Sequence, residues 1–271
     1  MPNLNLIGVG SLNVAGAQIS ELGFKKALIV TDKVLVKVGA VSAVTKVLDQ
    51  IKVEYVIYDG TEPNPTVNQV DEGLALLKEK KCDFIVSFGG GSPHDCAKAI
   101  GVLATNGGKI HDYEGINKSK NAMLPLVSIN TTAGTAAELT RFSSITDTKR
   151  HVKMAIIDWK VTPTIAVDEP TLMVGMPKSL TAATGMDALT LAIEAYVSTI
   201  SNPVTDASAL HAVKLIKTYL PDAVKDGKNL KARDMMFYAE FLAGMAFNSA
   251  NLGYVHISNF RELIHYLSRI S

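Results

Sequence analysis

Along the first half of the chain, the apolar and polar positions follow two alternating patterns. Between residues 26 and 130, short runs rich in Val, Ile, Leu and Phe alternate with longer segments whose apolar positions recur at helical spacing. This pattern predicts strands at residues 26–32, 53–59, 83–88 and 124–130, with helices at 34–51, 67–81 and 95–105. The strands are almost continuously apolar, which is typical of a parallel sheet covered on both faces. The predicted fold class is α/β.

The pattern changes after about Pro177. Three long segments, at residues 179–199, 205–219 and 230–248, show helical periodicity and few β-branched runs. Pro177, Pro203 and Pro221 are predicted to mark their boundaries. We therefore predict two domains, an α/β domain at residues 1–177 followed by a partial, all-helical domain at residues 178–271.

Composition and charge narrow the class of protein. The chain has 271 residues with 47% hydrophobic and 20% charged residues, which suits a protein with a substantial core. Its net charge is +1 without a basic block, so no nucleic-acid partner is expected. The two cysteines do not form a disulfide framework, and neither a signal peptide nor a membrane-spanning run is recognised. We expect a cytoplasmic protein.

A glycine run is the first candidate binding feature. Gly89, Gly90, Gly91 and Ser92 follow a predicted strand and precede a predicted helix. Glycines at such a place let backbone N–H groups approach a phosphate, and the helix N-terminus favours an anion. A tight strand-to-helix turn without a ligand is an equally good interpretation of the pattern alone.

Polar residues at two other predicted strand ends support a nucleotide or phosphate ligand. Asp32 ends the first strand, where a carboxylate can accept hydrogen bonds from ribose hydroxyls, although a helix cap is at least as common. A Thr-rich segment at residues 131–135 follows the last strand. In the usual dinucleotide fingerprint the glycine turn precedes the acid by about 20 residues, whereas here the acid comes first.

Taken together and in this order, several segments resemble the iron-containing alcohol dehydrogenase family, particularly its propanediol, lactaldehyde and methanol dehydrogenases. The matching segments are KKALIVTD (25–32), EPNPT (62–66), GGGSPHD (89–95), TTAGTAAE (131–138), TGMDALT (184–190) and GMAFN (244–248). The resemblance implies an N-terminal NAD-binding α/β domain, a C-terminal helical metal-binding domain, and an active site between them.

The resemblance also implies a role for individual residues in binding NAD. Asp32 would bind the adenosine ribose and favour NAD over NADP, and Lys153 would contact the nicotinamide ribose. The remaining implied residues hold the ribose and pyrophosphate (Asn64, Gly90, Gly91 and Ser92) or line the nicotinamide side (Thr132, Thr135 and Thr140).

The implied metal site is incomplete in this sequence. The family holds a divalent metal, usually Fe²⁺, with one aspartate and three histidines, and the metal polarises the alcohol oxygen so that hydride can leave. Asp187 and His256 match two ligands, but Leu191 stands where the family has a histidine. No match to the family is recognised after His256, although His265 is an alternative metal donor. We therefore expect a truncated metal domain. The hypothesis is that the reading frame is frameshifted or prematurely ended.

These observations leave two principal interpretations of function. The first is an NAD- and metal-dependent dehydrogenase that interconverts a small primary alcohol or diol and its aldehyde, a homo-oligomer as in the family. The second is an NAD-binding remnant without hydride transfer, because two metal ligands are missing. The related glycerol dehydrogenase and dehydroquinate synthase families fit the segments at 95–98 and 184–190 less well.

Overall fold

The structure is a computed structural model and describes residues 1–251. The described chain forms two compact units. The first contains residues 1–132 and 137–176, and the second contains residues 133–136 together with the described residues from Pro177 onwards. Within residues 1–251, no helix combines the length and the apolar character that crossing a bilayer requires.

The first unit is built on a six-stranded parallel sheet. Its strands are β1 (Leu4–Ile7), β2 (Lys26–Val30), β3 (Glu54–Tyr58), β4 (Phe84–Gly89), β6 (Leu126–Asn130) and β9 (Ile165–Asp168). They lie in the order β1-β9-β6-β4-β2-β3. A smaller sheet contains β5 (Gly115–Ile116), β7 (Phe142–Asp147) and β8 (Val152–Ile157), and in it β7 and β8 pair antiparallel.

Helices and two apolar clusters surround the larger sheet. The helices of this unit are α1 (Ser11–Leu22), α2 (Lys33–Lys37), α3 (Ser42–Gln50), α4 (Val67–Glu79) and α5 (Gly91–Asn106), and three short 3₁₀ helices span Ile110–Tyr113, Trp159–Val161 and Pro170–Met173. Successive side chains of a strand point to opposite faces. On β2, Leu28 and Val30 therefore join one buried cluster, and Ala27 and Ile29 join the other. The predicted α/β class with a covered parallel sheet is confirmed.

Two predicted helices differ from those observed. The single helix predicted at residues 34–51 is wrong: α2 and α3 are separate, because Gly39 adopts φ +75° between them. The helix predicted to start at Asp95 begins at Gly91, so Asp95 is not its cap. Pro93 is tolerated in this first turn because backbone N–H groups there have no intrahelical acceptor, so the proline loses no hydrogen bond.

The second unit consists of helices where the structure describes it. These are α6 (Lys178–Tyr196), α7 (Pro203–Lys225) and α8 (Leu230–Ala250). Asn202 caps α7, its side chain accepting from the backbone N–H of Val204, as expected for a cap before a proline at the first helical position. Pro221 lies inside α7 and not at a boundary as predicted, since the last turn stays packed through Ala223, which is 1% exposed.

Candidate nucleotide site and candidate metal position

Three neighbouring strands carry the predicted nucleotide residues to one edge of the large sheet. β4 lies between β2 and β6, with Val30 beside Ser87 and Gly89 beside Asn130. Because the three strands are parallel, the residues that follow them emerge at the same carboxyl edge. Asp32, the glycine turn and Thr132 therefore share one edge of the first unit. Ligands of open α/β sheets bind outside this edge.

The glycine turn is sterically crowded around its backbone. Gly89 adopts φ +146°, and a Cβ atom added to it would lie 2.6 Å from Cγ of Pro93. A Cβ atom on Gly90 would lie 2.9 Å from Oγ1 of Thr132. Gly90 is the N-cap residue of α5, and no side chain caps this helix. The first-turn N–H groups thus remain available to an anion, which fits a pyrophosphate.

Asp32 caps a helix, which was the alternative interpretation of its position in the sequence. It is the N-cap residue of α2, and its Oδ1 accepts a hydrogen bond of 2.9 Å from the backbone N–H of Leu35. The side chain is half-buried. A carboxylate has acceptor capacity beyond one bond, so a ribose contact by Asp32 stays a prediction that the cap does not oppose.

Short contacts in the first unit join Asn64 to Ser92 and to Thr146, the strand partner of Lys153. The backbone N–H of Asn64 donates to Oγ of Ser92 at 3.3 Å, and Oγ1 of Thr146 donates to the carbonyl of Asn64 at 3.3 Å. Thr146 on β7 pairs directly with Lys153 on β8. Lys153 is exposed. Lys153 therefore lies on the strand next to the one that contacts Asn64.

The three predicted threonines have different environments. Thr132 donates its backbone N–H to Oδ1 of Asn130 at 3.1 Å and lies beside Gly90. Thr140 is buried, with 1% exposure, and its carbonyl accepts from Nζ of Lys98. Thr135 belongs to the second unit. Of the nine predicted NAD-binding residues, the first unit therefore contains all except Thr135.

Sequence reasoning missed two buried polar side chains of α5. His94 is fully buried, and its Nδ1 lies 2.7 Å from Oγ of Ser87. Burial lowers the pKa of His94 to about 3, so the imidazole is neutral near pH 7. Lys98 is also fully buried. Its position inside an apolar stretch, residues 96–103, was the available signal.

The second unit contains the candidate metal position. Asp187 lies on α6 and is partly exposed, and Leu191 one turn later is 2% exposed. Residues four apart share a helix face, but leucine has no lone pair to offer a metal. His256 lies outside the described residues. Among residues 1–251, Asp187 is thus the one ligand of the implied set, and this part of the chain does not fit the implied metal site.

The loop that carries Thr135 packs against the same helix. A Cβ atom on Gly134 would lie 2.8 Å from Cβ and 3.0 Å from the backbone oxygen of Thr184, three residues before Asp187. Oε1 of the fully buried Glu240 accepts from the backbone N–H groups of Gly134, at 3.0 Å, and Ala136, at 2.8 Å. Within the second unit, α6 and α8 therefore hold this loop between them.

Comparison with known proteins agrees with this architecture. Residues 2–170 match the family described as iron-containing alcohol dehydrogenase, and residues 181–261 match the C-terminal part of the Fe-containing alcohol dehydrogenase family. Because the first match covers more than half of the chain, the chain belongs to the iron-containing alcohol dehydrogenase family. The resemblance seen in the sequence motifs is confirmed.

Individual relatives are similar over nearly the whole chain. Alcohol dehydrogenase 4 of Schizosaccharomyces pombe is 57% identical, over 94% of this chain and 61% of its own length. The crystal structure of a 1,3-propanediol oxidoreductase has a TM-score of 0.92 and 51% identity, covering 94% of this chain and 67% of that one. A sulfoacetaldehyde reductase from Bifidobacterium kashiwanohense, solved in complex with NAD⁺, has a TM-score of 0.86 and 32% identity, covering 94% and 68%. The chain spans about three fifths to two thirds of the length of these relatives.

Proposed function

We propose that this chain binds NAD at the carboxyl edge of β2, β4 and β6, and that the protein is a dehydrogenase interconverting a small primary alcohol or diol and its aldehyde. The observation that carries the proposal is the convergence of Asp32, the Gly89–Gly91 turn and Thr132 at one edge of the sheet. The similar sulfoacetaldehyde reductase binds NAD⁺, which supports the choice of cofactor. Bound NAD supplies the hydride acceptor.

Each residue of the edge has a proposed task set by its chemistry. The uncapped N–H groups of α5 at Gly91 and Ser92 bind the pyrophosphate, because they point outwards from the positive end of the helix dipole. The carboxylate of Asp32 accepts from the adenosine ribose and repels a 2′-phosphate. Lys153 donates to the nicotinamide ribose, and the Thr132 hydroxyl borders the same half of the cofactor. A cytoplasmic location and a homo-oligomeric state stay predictions.

A second candidate function is NAD binding without hydride transfer, and Leu191 favours it. The family resemblance implies a metal held partly by a histidine at this position, and the described residues offer no replacement for it beside Asp187 on α6. Calorimetry with NAD, followed by an assay of NADH formation from 1,3-propanediol with added Fe²⁺, separates the two functions. Alcohol-dependent NADH formation supports the dehydrogenase. NAD binding without it supports the second function, and no NAD binding refutes both.

Removing the charge of Asp32 is expected to weaken the preference for NAD over NADP. In Asp32→Asn the side chain still caps α2, because asparagine caps as well as aspartate. The ribose loses a charged acceptor, so NAD affinity should fall about fivefold, and the repulsion of a 2′-phosphate disappears. Titration calorimetry with NAD and NADP measures the ratio of the two affinities.

The matched control for this variant is Asp83→Asn. Asp83 accepts from the backbone N–H groups of Lys25 and Lys26 at the opposite, amino end of β2. The Asp83→Asn variant removes the same charge beside the same strand, and the ratio of its affinities for NAD and NADP should stay at the wild-type value. An unchanged ratio in Asp32→Asn would contradict the proposed ribose contact.

Introducing the missing histidine is expected to strengthen metal binding at α6. Leu191→His places an imidazole one turn after Asp187, so both side chains can ligate one Zn²⁺ or Co²⁺ ion. We expect at least ~10-fold tighter Co²⁺ binding than in the wild type. Even a residue that only hydrogen-bonds to a metal ligand typically changes metal affinity by about that factor, and a direct ligand should contribute no less. Co²⁺ titration followed by visible absorbance gives the affinity.

Ile193→His is the control for the added histidine. Ile193 is 48% exposed and lies six residues after Asp187, on a different side of α6. Its histidine should leave Co²⁺ affinity near that of the wild type. Equal gains in the two variants would show that Asp187 and position 191 do not define a metal position.

A further inference from the structure

Lys98 is a charged side chain enclosed in the first unit. It lies on α5 and has no solvent exposure. Its Nζ donates hydrogen bonds of 2.7 Å to the carbonyl of Thr140 and 2.7 Å to the carbonyl of Phe142. Burying an ammonium group is costly unless it is hydrogen-bonded and close to opposite charge. The two carbonyls provide the first of these conditions.

Acidic side chains provide the second condition. Burial lowers the pKa of Lys98, and the nearby carboxylates of Asp95 and Glu138 act in the opposite direction. Asp95 lies three residues earlier on α5 and is itself only partly exposed. Burial raises the pKa of Asp95, and the positive charges of Lys98 and Lys153 oppose that shift. Asp95 and Lys98, which lie one turn apart on α5, therefore act on each other's charge within the first unit.

These contacts connect the two ends of the proposed NAD site. α5 begins at Gly91, where the pyrophosphate is proposed to bind. Lys98 ties this helix to Thr140 and to Phe142, the first residue of β7, and Oγ of Ser143 donates to the carbonyl of Asp95 at 2.9 Å. β7 then pairs with β8, which carries Lys153. One helix thus supports both the pyrophosphate turn and the strands of the nicotinamide end.

We propose that Lys98, with Asp95 as its charge partner, is a positioning residue that holds Thr140 and the β7–β8 strands where the nicotinamide half of NAD binds. This inference rests on the proposed NAD binding. Lys98 acts through the backbone of residues 140–142 and does not touch the cofactor. Its loss should weaken contacts to the nicotinamide half, while the adenosine and pyrophosphate contacts at Asp32 and Gly91 are retained.

The experiment compares the affinity of the full chain for NAD and for ADP, which lacks the nicotinamide half. Lys98→Met keeps an unbranched side chain that is one heavy atom shorter, and it removes the hydrogen-bond donors. We expect NAD affinity to fall about tenfold and ADP affinity to change less than twofold, because unanchored strands must be ordered on binding. The double variant Asp95→Asn/Lys98→Met removes the charge of Asp95 together with that of Lys98, which lowers the charge imbalance left by the single variant, and the same selective loss is expected.

Lys160→Met is the matched control. Nζ of Lys160 donates to the carbonyl of Ser119 at 2.7 Å, so this variant breaks a similar lysine-to-carbonyl bond elsewhere in the first unit. Both affinities should stay unchanged in it.

The outcomes distinguish the inference from the proposed function. A selective loss of NAD affinity in both Lys98 variants supports the inference. Equal losses for NAD and ADP, or wild-type affinity for both, overturn it while leaving NAD binding established. Failure of the wild-type chain to bind NAD refutes the proposed function, and the inference with it.

Discussion

Replacing Gly89 by alanine is expected to lower the free energy of unfolding by about 3 kcal/mol and to weaken NAD binding more than tenfold. Gly89 adopts φ +146°, a region nearly confined to glycine, which costs a residue with a side chain on the order of 1–3 kcal/mol. The new Cβ would also lie 2.6 Å from Cγ of Pro93, and such overpacking costs about 1–3 kcal/mol. The proline ring cannot rotate away, so the turn that begins α5 must shift.

Gly107 at the other end of α5 offers a matched control. It also has a positive φ, +72°, but a Cβ there would meet no atom within 4 Å. Gly107→Ala should therefore show conformational strain alone, on the order of 1–3 kcal/mol, and wild-type NAD affinity. Urea unfolding gives both stabilities, and calorimetry gives both affinities. If the two variants lost stability and NAD affinity equally, the close contact at Gly89 would have no special role.

Removing the carboxylate of Glu240 is expected to destabilise the second unit by about 4 kcal/mol. Glu240→Ala leaves the backbone N–H groups of Gly134 and Ala136 without this buried acceptor, at about 1–3 kcal/mol for each. Charge-assisted bonds of this kind are stronger than neutral ones. Ala136 also has φ +52°, an unfavourable value for a residue with a Cβ atom, so its hydrogen bond to Glu240 helps to hold a strained backbone conformation.

Glu240→Gln separates the lost hydrogen bonds from the lost charge. Glutamine retains a side-chain oxygen that can accept from both N–H groups, so a loss of about 1–2 kcal/mol is expected. Urea unfolding measures the stability. Hydrogen exchange should accelerate at the amides of Gly134 and Ala136 in the alanine variant and much less in the glutamine variant. Wild-type exchange at both amides in Glu240→Ala would contradict the proposed anchoring of this loop.

The regular elements followed from apolar periodicity wherever a segment was long or continuously apolar. β2, β3, β4 and β6 lie within two residues of their predicted positions. The three long helices of the second unit were recognised for the same reason. β1, β5, β7, β8 and β9 were not predicted. β1, β5 and β9 span at most four residues each, too few to show a clear periodicity, and β7 and β8 belong with β5 to a small separate sheet.

The candidate site was only partly visible in the sequence. Family motifs placed Asp32, the glycine turn and Lys153 in a nucleotide site, but the residues alone left a helix cap or a plain turn equally open. The structure shows that Asp32 is a cap, and a ribose contact stays compatible with it. Lys98 escaped notice because a lysine in a helix is usually exposed, and its burial depends on two carbonyls more than 40 positions away in sequence.

By itself, the sequence determined the α/β class, the helical character of the second half, the family, and the presence of a leucine at position 191. Each of these depends on local periodicity or on residue identity. Only the tertiary structure decided that β4 lies between β2 and β6, that His94 and Lys98 are buried, and that Glu240 holds residues 134–136. The physical reason is that strand order, burial and hydrogen bonding depend on which distant segments pack together, and the spacing of residues along a chain does not specify that.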